Sequence, residues 1–133
     1  MLIDTNVAIA LWVESDWTDA ARRLLAQDPD WRTEAIALIE FANVMATYVR
    51  RGLAPKAQAL QRLDEAKRLL GSGLVLAGHR PSLSAAVMYG VSVYDARFLV
   101  AADQLGVRLV TEDRKLRRAA PDVTRSLEQA IAA

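Results

Sequence analysis

The chain has 133 residues, 53% of them hydrophobic and 25% charged, and its net charge is +1. This balance predicts one globular domain, residues 1–133, and excludes a disordered chain. Cysteine is absent, which excludes disulfides and thiolate metal sites, and no apolar run approaches the roughly 20 residues of a membrane span. No basic segment precedes the first apolar residues, so we expect no export signal, no membrane association and a cytoplasmic location.

The first residues predict a short buried strand that ends at a carboxylate. Leu2 and Ile3 are apolar, Asp4 follows them, and the small polar residues Thr5 and Asn6 come next. An apolar run over residues 7–13 then predicts a short helix. In open α/β sheets, binding sites form beyond the carboxyl ends of the strands, so this order predicts a strand, a site and a helix.

The rest of the sequence predicts helices that alternate with short strands. Hydrophobic periodicity predicts one helix that begins after an N-cap at Asp16. The same periodicity, with helix-ending signals, predicts helices at residues 36–51, 55–70, 81–89, 96–105 and 114–120 and a helical C-terminal tail. Further strands are predicted within residues 31–35, 74–76, 107–110 and 123–125. This alternation predicts a three-layer α/β/α domain with a short, mainly parallel central sheet.

Four acidic residues occupy positions that such a sheet would bring together. Asp4 and Asp113 follow predicted strands, Asp95 lies at a helix start, and Glu40 lies on a helix that is apolar over most of its circumference. Each aspartate alone is also explained as a helix cap, and Glu40 alone by an arginine partner. Strand ends and the helix starts that follow them lie on one edge of a parallel sheet, so the four carboxylates can converge. Asn43, on the same helix face as Glu40, is close enough to orient it.

Converging carboxylates repel one another and therefore need a cation. With no cysteine and a single histidine, the chain offers oxygen ligands, which suit Mg²⁺ or Mn²⁺ better than zinc. Such a site suits phosphodiester hydrolysis, because a divalent ion polarises the phosphoryl group and activates water.

The motifs around these acids resemble those of the PIN-domain family, and especially its VapC-type toxins from bacterial toxin–antitoxin pairs. The resemblance spans essentially the whole chain and is carried by segments 3–6, 92–96 and 105–113, together with Glu40 and Asn43. It implies a PIN-like fold and an endoribonuclease that depends on Mg²⁺, with Mn²⁺ as a substitute. It also implies that Asp4, Glu40, Asp95 and Asp113 form the catalytic, metal-binding quartet and that Asn6 and Thr111 support it. The partners it implies are an RNA substrate, a VapB-type antitoxin that inserts a tail into the site, and a second copy in a homodimer.

Two other classes of protein also place acids at strand ends. A HAD-like phosphohydrolase would carry a second aspartate where this chain has Asn6. A non-catalytic metal-binding regulatory domain of the receiver type would carry a lysine at a late strand end, where this chain has Thr111, Glu112 and Asp113. Both differ from the observed pattern and are kept as alternatives. The sequence does not indicate which RNA would be cleaved.

Overall fold

The computed structural model describes all 133 residues, as five short strands that alternate with eight helices. The strands are β1 (Leu2–Ile3), β2 (Thr33–Glu34), β3 (Leu74–Val75), β4 (Leu109–Val110) and β5 (Thr124–Arg125). The helices are α1 (Thr5–Ile9), α2 (Thr18–Gln27), α3 (Ile36–Arg50), α4 (Lys56–Leu70), α5 (His79–Tyr89), α6 (Val93–Leu105), α7 (Arg114–Ala119) and α8 (Leu127–Ala132). A 3₁₀ turn, Gly71–Gly73, joins α4 to β3.

All strand pairs are parallel, and β1 lies at the centre of the sheet. β1 pairs with β4, which pairs with β5, while β2 pairs with β3. A parallel bridge between Leu2 and Arg32 joins the two groups, and the Ile3 amide donates to the Arg32 carbonyl at 2.9 Å. The resulting order is β3-β2-β1-β4-β5. The direction of winding reverses between β1 and β4, and in doubly wound sheets sites form at that position.

Successive residues of the central strands face opposite layers of helices. Leu2 and Leu109 belong to one apolar cluster, which is built mainly with buried residues of α6 and α7. Ile3 and Val110 belong to another cluster, with buried residues of α1, α2 and α8. This alternation is what a pleated strand requires when both faces are covered. The predicted three-layer α/β/α arrangement is therefore confirmed.

Helices α3 and α4 pack against each other and have an apolar cluster of their own. Phe41 and Met45 of α3 pack in it with Ala59 and Ala66 of α4. The Trp12 ring meets Phe41 edge-on at a centroid distance of 5.4 Å, and its indole N–H donates to Glu65 at 2.7 Å. Trp12 therefore fixes the segment after α1 against this helical pair.

Helices α5 and α6 each end at a glycine with left-handed backbone, as the sequence predicts. Both Gly90 and Gly106 have φ of 65°, a conformation that strains other L-residues. The two helices are bent by 107° relative to one another. No single helix is long and apolar enough to cross a membrane, and this bent pair passes that test by length and composition only.

Two local predictions were wrong at the N-terminal end of the fold. The first helix begins at Thr5 and ends at Ile9, instead of covering residues 7–13, because the Asp4 side chain accepts from the Thr5 amide and starts the helix earlier. Asp16 does not cap α2, which begins at Thr18 without a side-chain cap. The preceding turn is held instead by the Ser15 amide, which donates to Thr18 Oγ1 at 3.0 Å.

Candidate active site

Asp4 lies where β1 ends, and its carboxylate is almost fully enclosed. The residue is only 6% exposed. Oδ1 accepts from the Thr5 amide at 2.7 Å, while Oδ2 accepts from Thr111 Oγ1 at 2.7 Å and from Asn6 Nδ2 at 3.2 Å. Burial raises the pKa of Asp4 from 3.8 to about 7, although the hydrogen bonds from Thr111 and Thr5 act in the opposite direction. A cation beside Asp4 would favour its charged form.

Asn6 and Thr111 connect the ends of β1 and β4 around this carboxylate. Thr111 Oγ1 accepts from the Asp113 amide at 3.0 Å while its hydroxyl donates to Asp4. Asn6 Oδ1 accepts from the Glu112 amide at 3.2 Å, and Asn6 Nδ2 lies 3.3 Å from Thr111 Oγ1. Asn6, from the loop after β1, therefore holds the loop after β4, and Thr111, from the loop after β4, holds Asp4 at the end of β1. Asn6 and Thr111 both donate to Asp4.

Glu40 faces the same place from α3. Its carboxylate is about half-buried, and Oε1 accepts from Thr5 Oγ1 at 2.6 Å. Desolvation by burial raises the pKa of Glu40, and the negative charges of Asp95 and Glu34 raise it further. Asn43, expected to orient Glu40, is exposed and makes no side-chain hydrogen bond to it. Thr5 was not among the site residues predicted from the sequence, although its hydroxyl directly follows a site carboxylate.

Asp95 and Asp113 complete the set from the starts of α6 and α7. Ser92, not Asp95, caps α6, because Ser92 Oγ accepts from the Asp95 amide at 3.1 Å and leaves the Asp95 carboxylate outside the cap. Burial raises the pKa of Asp95, the charge of Asp113 adds to the effect, and Ser92 and Lys115 oppose it. Asp113 caps α7 through Oδ1, which accepts from the Leu116 amide at 3.1 Å.

The four carboxylates line one open cleft of about 240 Å³. The other residues that line it are Thr5, Asn6, Ile9 and Val44. No lysine or arginine is among them, so the negative charge in this cleft has no cationic side chain in its lining to balance it. The convergence predicted from strand ends and helix starts is therefore found in the fold.

The donor set of this cleft fits a hard divalent cation. Every charged group in the lining offers carboxylate oxygen, which is the ligand that Mg²⁺ and Mn²⁺ accept alongside water. No three of these acids are close enough to form a ready-made metal cage. Mg²⁺ commonly takes only one or two carboxylates and keeps several waters, so a closed cage is not required.

Glu112, next to Asp113, points away from the cleft. Its Oε2 pairs with Arg117 at 3.0 Å, and its Oε1 accepts from the Leu127 amide at 2.7 Å. It therefore ties α7 and the start of α8 together. Adjacent residues after a strand tend to point in different directions, and Glu112 and Asp113 do so.

A buried ion pair joins β2 to α6 and was not predicted from the sequence. Glu34 of β2 is 0% exposed, and Arg97 of α6 binds it at two positions, with Nη2 2.6 Å from Oε1 and Nε 3.0 Å from Oε2. Glu34 also accepts from the amides of Ile36 at 2.8 Å and Ala77 at 3.3 Å. A glutamate in a buried strand needs such partners, and the presence of Glu34 within the strand predicted in residues 31–35 was the signal in the sequence.

Comparisons with known proteins agree with this fold. Residues 1–121 match the family model of the PIN domain, and the chain belongs to that family. It is 30% identical over 122 residues to Ribonuclease VapC3 of Pyrobaculum aerophilum, and the alignment covers 87% of this chain and 91% of the relative. The PIN-like fold expected from the sequence is confirmed.

Solved structures show the same architecture at lower sequence identity. PAE2754 from Pyrobaculum aerophilum superposes with a TM-score of 0.79 at 20% identity, covering 98% of this chain and 91% of that one. A toxin–antitoxin complex from Klebsiella pneumoniae gives 0.68 at 21% identity, covering 93% and 95%. FitAcB from Neisseria gonorrhoeae gives 0.68 at 18% identity, covering 94% of each chain.

Proposed function

We propose that this PIN domain is a metal-dependent endoribonuclease and the toxin of a VapBC-type toxin–antitoxin pair. The observation that carries the proposal is the single cleft lined by Asp4, Glu40, Asp95 and Asp113 with no basic side chain among them. The identity to a protein named Ribonuclease VapC3 supports RNA as the substrate class.

The four acids would hold Mg²⁺, with Mn²⁺ as a substitute, directly or through water. When bound, the ion would supply Lewis-acid stabilisation of the phosphodiester and would lower the pKa of water in the site. Glu40, half-buried and held by Thr5, would position the attacking water and accept its proton. Asn6 and Thr111 hold Asp4 in its orientation through their hydrogen bonds to its Oδ2.

The proposed reaction adds one water molecule across a phosphodiester. The water oxygen bonds to phosphorus, the P–O3′ bond breaks, and the leaving 3′ oxygen takes up a proton. The products are an RNA with a 5′-phosphate and an RNA with a 3′-hydroxyl. A buried Asp4 with a raised pKa is suited to this site, because a cation beside it would stabilise the negative charge that burial disfavours.

The proposal extends to two protein partners, a VapB-type antitoxin and a second copy of the chain. Several large apolar side chains of α5 are exposed, including Leu83 at 61%, Val87 at 78% and Met88 at 74%. Several exposed large apolar side chains on one helix are typical of protein interfaces. One of the structures with this fold is itself a toxin–antitoxin complex. The mass of the purified chain in solution, alone and co-expressed with the product of a neighbouring small gene, tests both partners.

The activity is tested by incubating purified protein with total RNA in Mn²⁺ or in EDTA. Wild type is expected to cut RNA only with metal, and Asp4→Asn is expected to abolish cleavage. Asp103→Asn is the matched control, because Asp103 is exposed on α6, two turns beyond Asp95, and does not line the acidic cleft. Metal binding without cleavage of any RNA would favour the non-catalytic alternative, and an acid-labile phosphoenzyme would favour the phosphohydrolase.

A further inference from the structure

A second cleft adjoins the acidic cleft and shares two of its carboxylates. This flanking groove has a volume of about 350 Å³ and lies between the end of α5 and helix α7. Asp95 and Asp113 line both clefts, and Gly90, Ser92 and Lys115 are among the residues that line only the flanking groove. A chain that occupies one cleft can therefore continue into the other.

The charge of the lining changes between the two clefts. Lys115 is the only basic residue that lines either of them. It is exposed and takes part in none of the ion pairs of the structure. Its positive charge acts on Asp95, whose pKa it lowers against the opposing effect of burial. Lys115 thus lines the same groove as Asp95 and Asp113 without forming a salt bridge to either of them.

An RNA strand needs such a cation near the site of cleavage. The phosphates on either side of the scissile bond are negatively charged, and four carboxylates repel them because one divalent ion would balance only part of their charge. A lysine that releases counterions from one flanking phosphate supplies binding free energy and fixes where the strand lies. The location of Lys115, at the edge of the acids and outside the acidic cleft, meets this need without competing for the metal.

We propose that the flanking groove binds the nucleotide next to the scissile phosphate and that Lys115 contacts the phosphate of that nucleotide. This inference rests on the proposed ribonuclease function. It assigns Lys115 a role in RNA binding, not in the chemical step. The alternative explanation is that Lys115 only stabilises the charged form of Asp95 and makes no contact with RNA.

The experiment compares Lys115→Gln with Lys115→Arg and with Arg118→Gln as the matched control. Arg118 is exposed on the same helix and lines neither cleft. Binding of a labelled single-stranded RNA is measured in the Asp4→Asn background across a range of salt concentrations, and kcat and KM are measured in the wild-type background. Lys115→Gln is expected to weaken binding several-fold and to reduce the slope of log K against log salt by about 0.7, the value for one phosphate contact on a single strand.

The expected result includes a raised KM with kcat nearly unchanged, rescue by Lys115→Arg, and no effect of Arg118→Gln. An unchanged affinity and salt slope would overturn the inference, and so would a loss confined to kcat or an equal loss in Arg118→Gln. If wild type cleaves RNA and Lys115→Gln binds and cleaves RNA equally well, only this inference fails. If wild type neither binds nor cleaves RNA, the proposed function fails and this inference fails with it.

Discussion

The buried Glu34 carboxylate and the Arg97 guanidinium join β2 to α6 only two residues beyond Asp95. The two hydrogen bonds of this pair measure 2.6 and 3.0 Å, and the Glu34 side chain is fully enclosed. Glu34 also accepts from the amide of Ile36, the first residue of the helix that carries Glu40. The Glu34 carboxylate thus connects α6, which carries Asp95, with the start of α3, which carries Glu40.

Arg97→Met is expected to destabilise the fold strongly. Removing one partner leaves the Glu34 carboxylate buried and unpaired, which typically costs about 3–5 kcal/mol. Urea unfolding measures the loss. Adding Glu34→Gln to Arg97→Met is expected to restore part of it, because a neutral amide oxygen can still accept from the Ile36 amide. Equal stability of the single and double variants would contradict this account of the pair.

Asp4→Asn is expected to raise stability at neutral and higher pH when no divalent metal is present. The pKa of Asp4 in the folded protein, about 7, lies above its ordinary value of 3.8. The folded state therefore binds more protons than the unfolded state between these values, so stability falls as pH rises through this window. A shift of this size corresponds to at most about 4 kcal/mol above pH 7.

Thermal unfolding in EDTA at several pH values measures this effect. The gain in Tm from Asp4→Asn should be largest at alkaline pH and should shrink toward pH 4. Asp103→Asn, at an exposed position, should leave Tm unchanged at every pH. A gain that is the same at all pH values would show that the charge of Asp4 is not its cause.

Mn²⁺ or Mg²⁺ is expected to raise the Tm of wild type. A ligand that binds only the folded state stabilises it by about 2.7 kcal/mol at a hundredfold excess over its Kd. The rise should be smaller in Glu40→Gln, Asp95→Asn and Asp113→Asn and absent when all four acids are replaced. The same rise in the fourfold variant would contradict a metal site shared by these acids.

Thr5→Val is expected to shift the acid limb of the pH–rate profile to higher pH. The Thr5 hydroxyl donates to Glu40 at 2.6 Å and lowers its pKa against the effect of burial, so loss of this donor raises the pKa of Glu40. Thr5→Ser keeps the hydroxyl and should retain the wild-type profile. Measurement of kcat/KM against pH separates the two variants, and identical profiles would mean that this hydrogen bond does not tune Glu40.

Local rules were sufficient for most of the secondary structure. Apolar runs that end at Asp4 and at Thr111 marked β1 and β4, and glycines placed the ends of α5 and α6. These features depend on a few neighbouring residues, and a sequence displays them directly. The sequence offered Asp95 as one possible cap of α6, whereas Ser92 has that role in the structure, because its side chain accepts from the Asp95 amide.

The convergence of the acids could also be predicted, because it follows from topology. Parallel strands place their carboxyl ends on one edge, so the aspartates after β1 and β4 had to be neighbours. Even so, which side chain would orient Glu40 did not follow from helix spacing. Asn43 shares the face of Glu40 in sequence terms, yet Thr5, 35 residues away, makes the hydrogen bond.

The sequence alone determined the order of strands and helices and the set of acids that would meet, because both depend on periodicity and on sheet topology. Only the tertiary structure decided the contacts that hold those acids: Thr111 with Asp4 across 107 residues, and Arg97 with Glu34 across 63. Such hydrogen bonds require donor and acceptor within about 3 Å, a precision that residue type and spacing do not encode for groups so far apart along the chain.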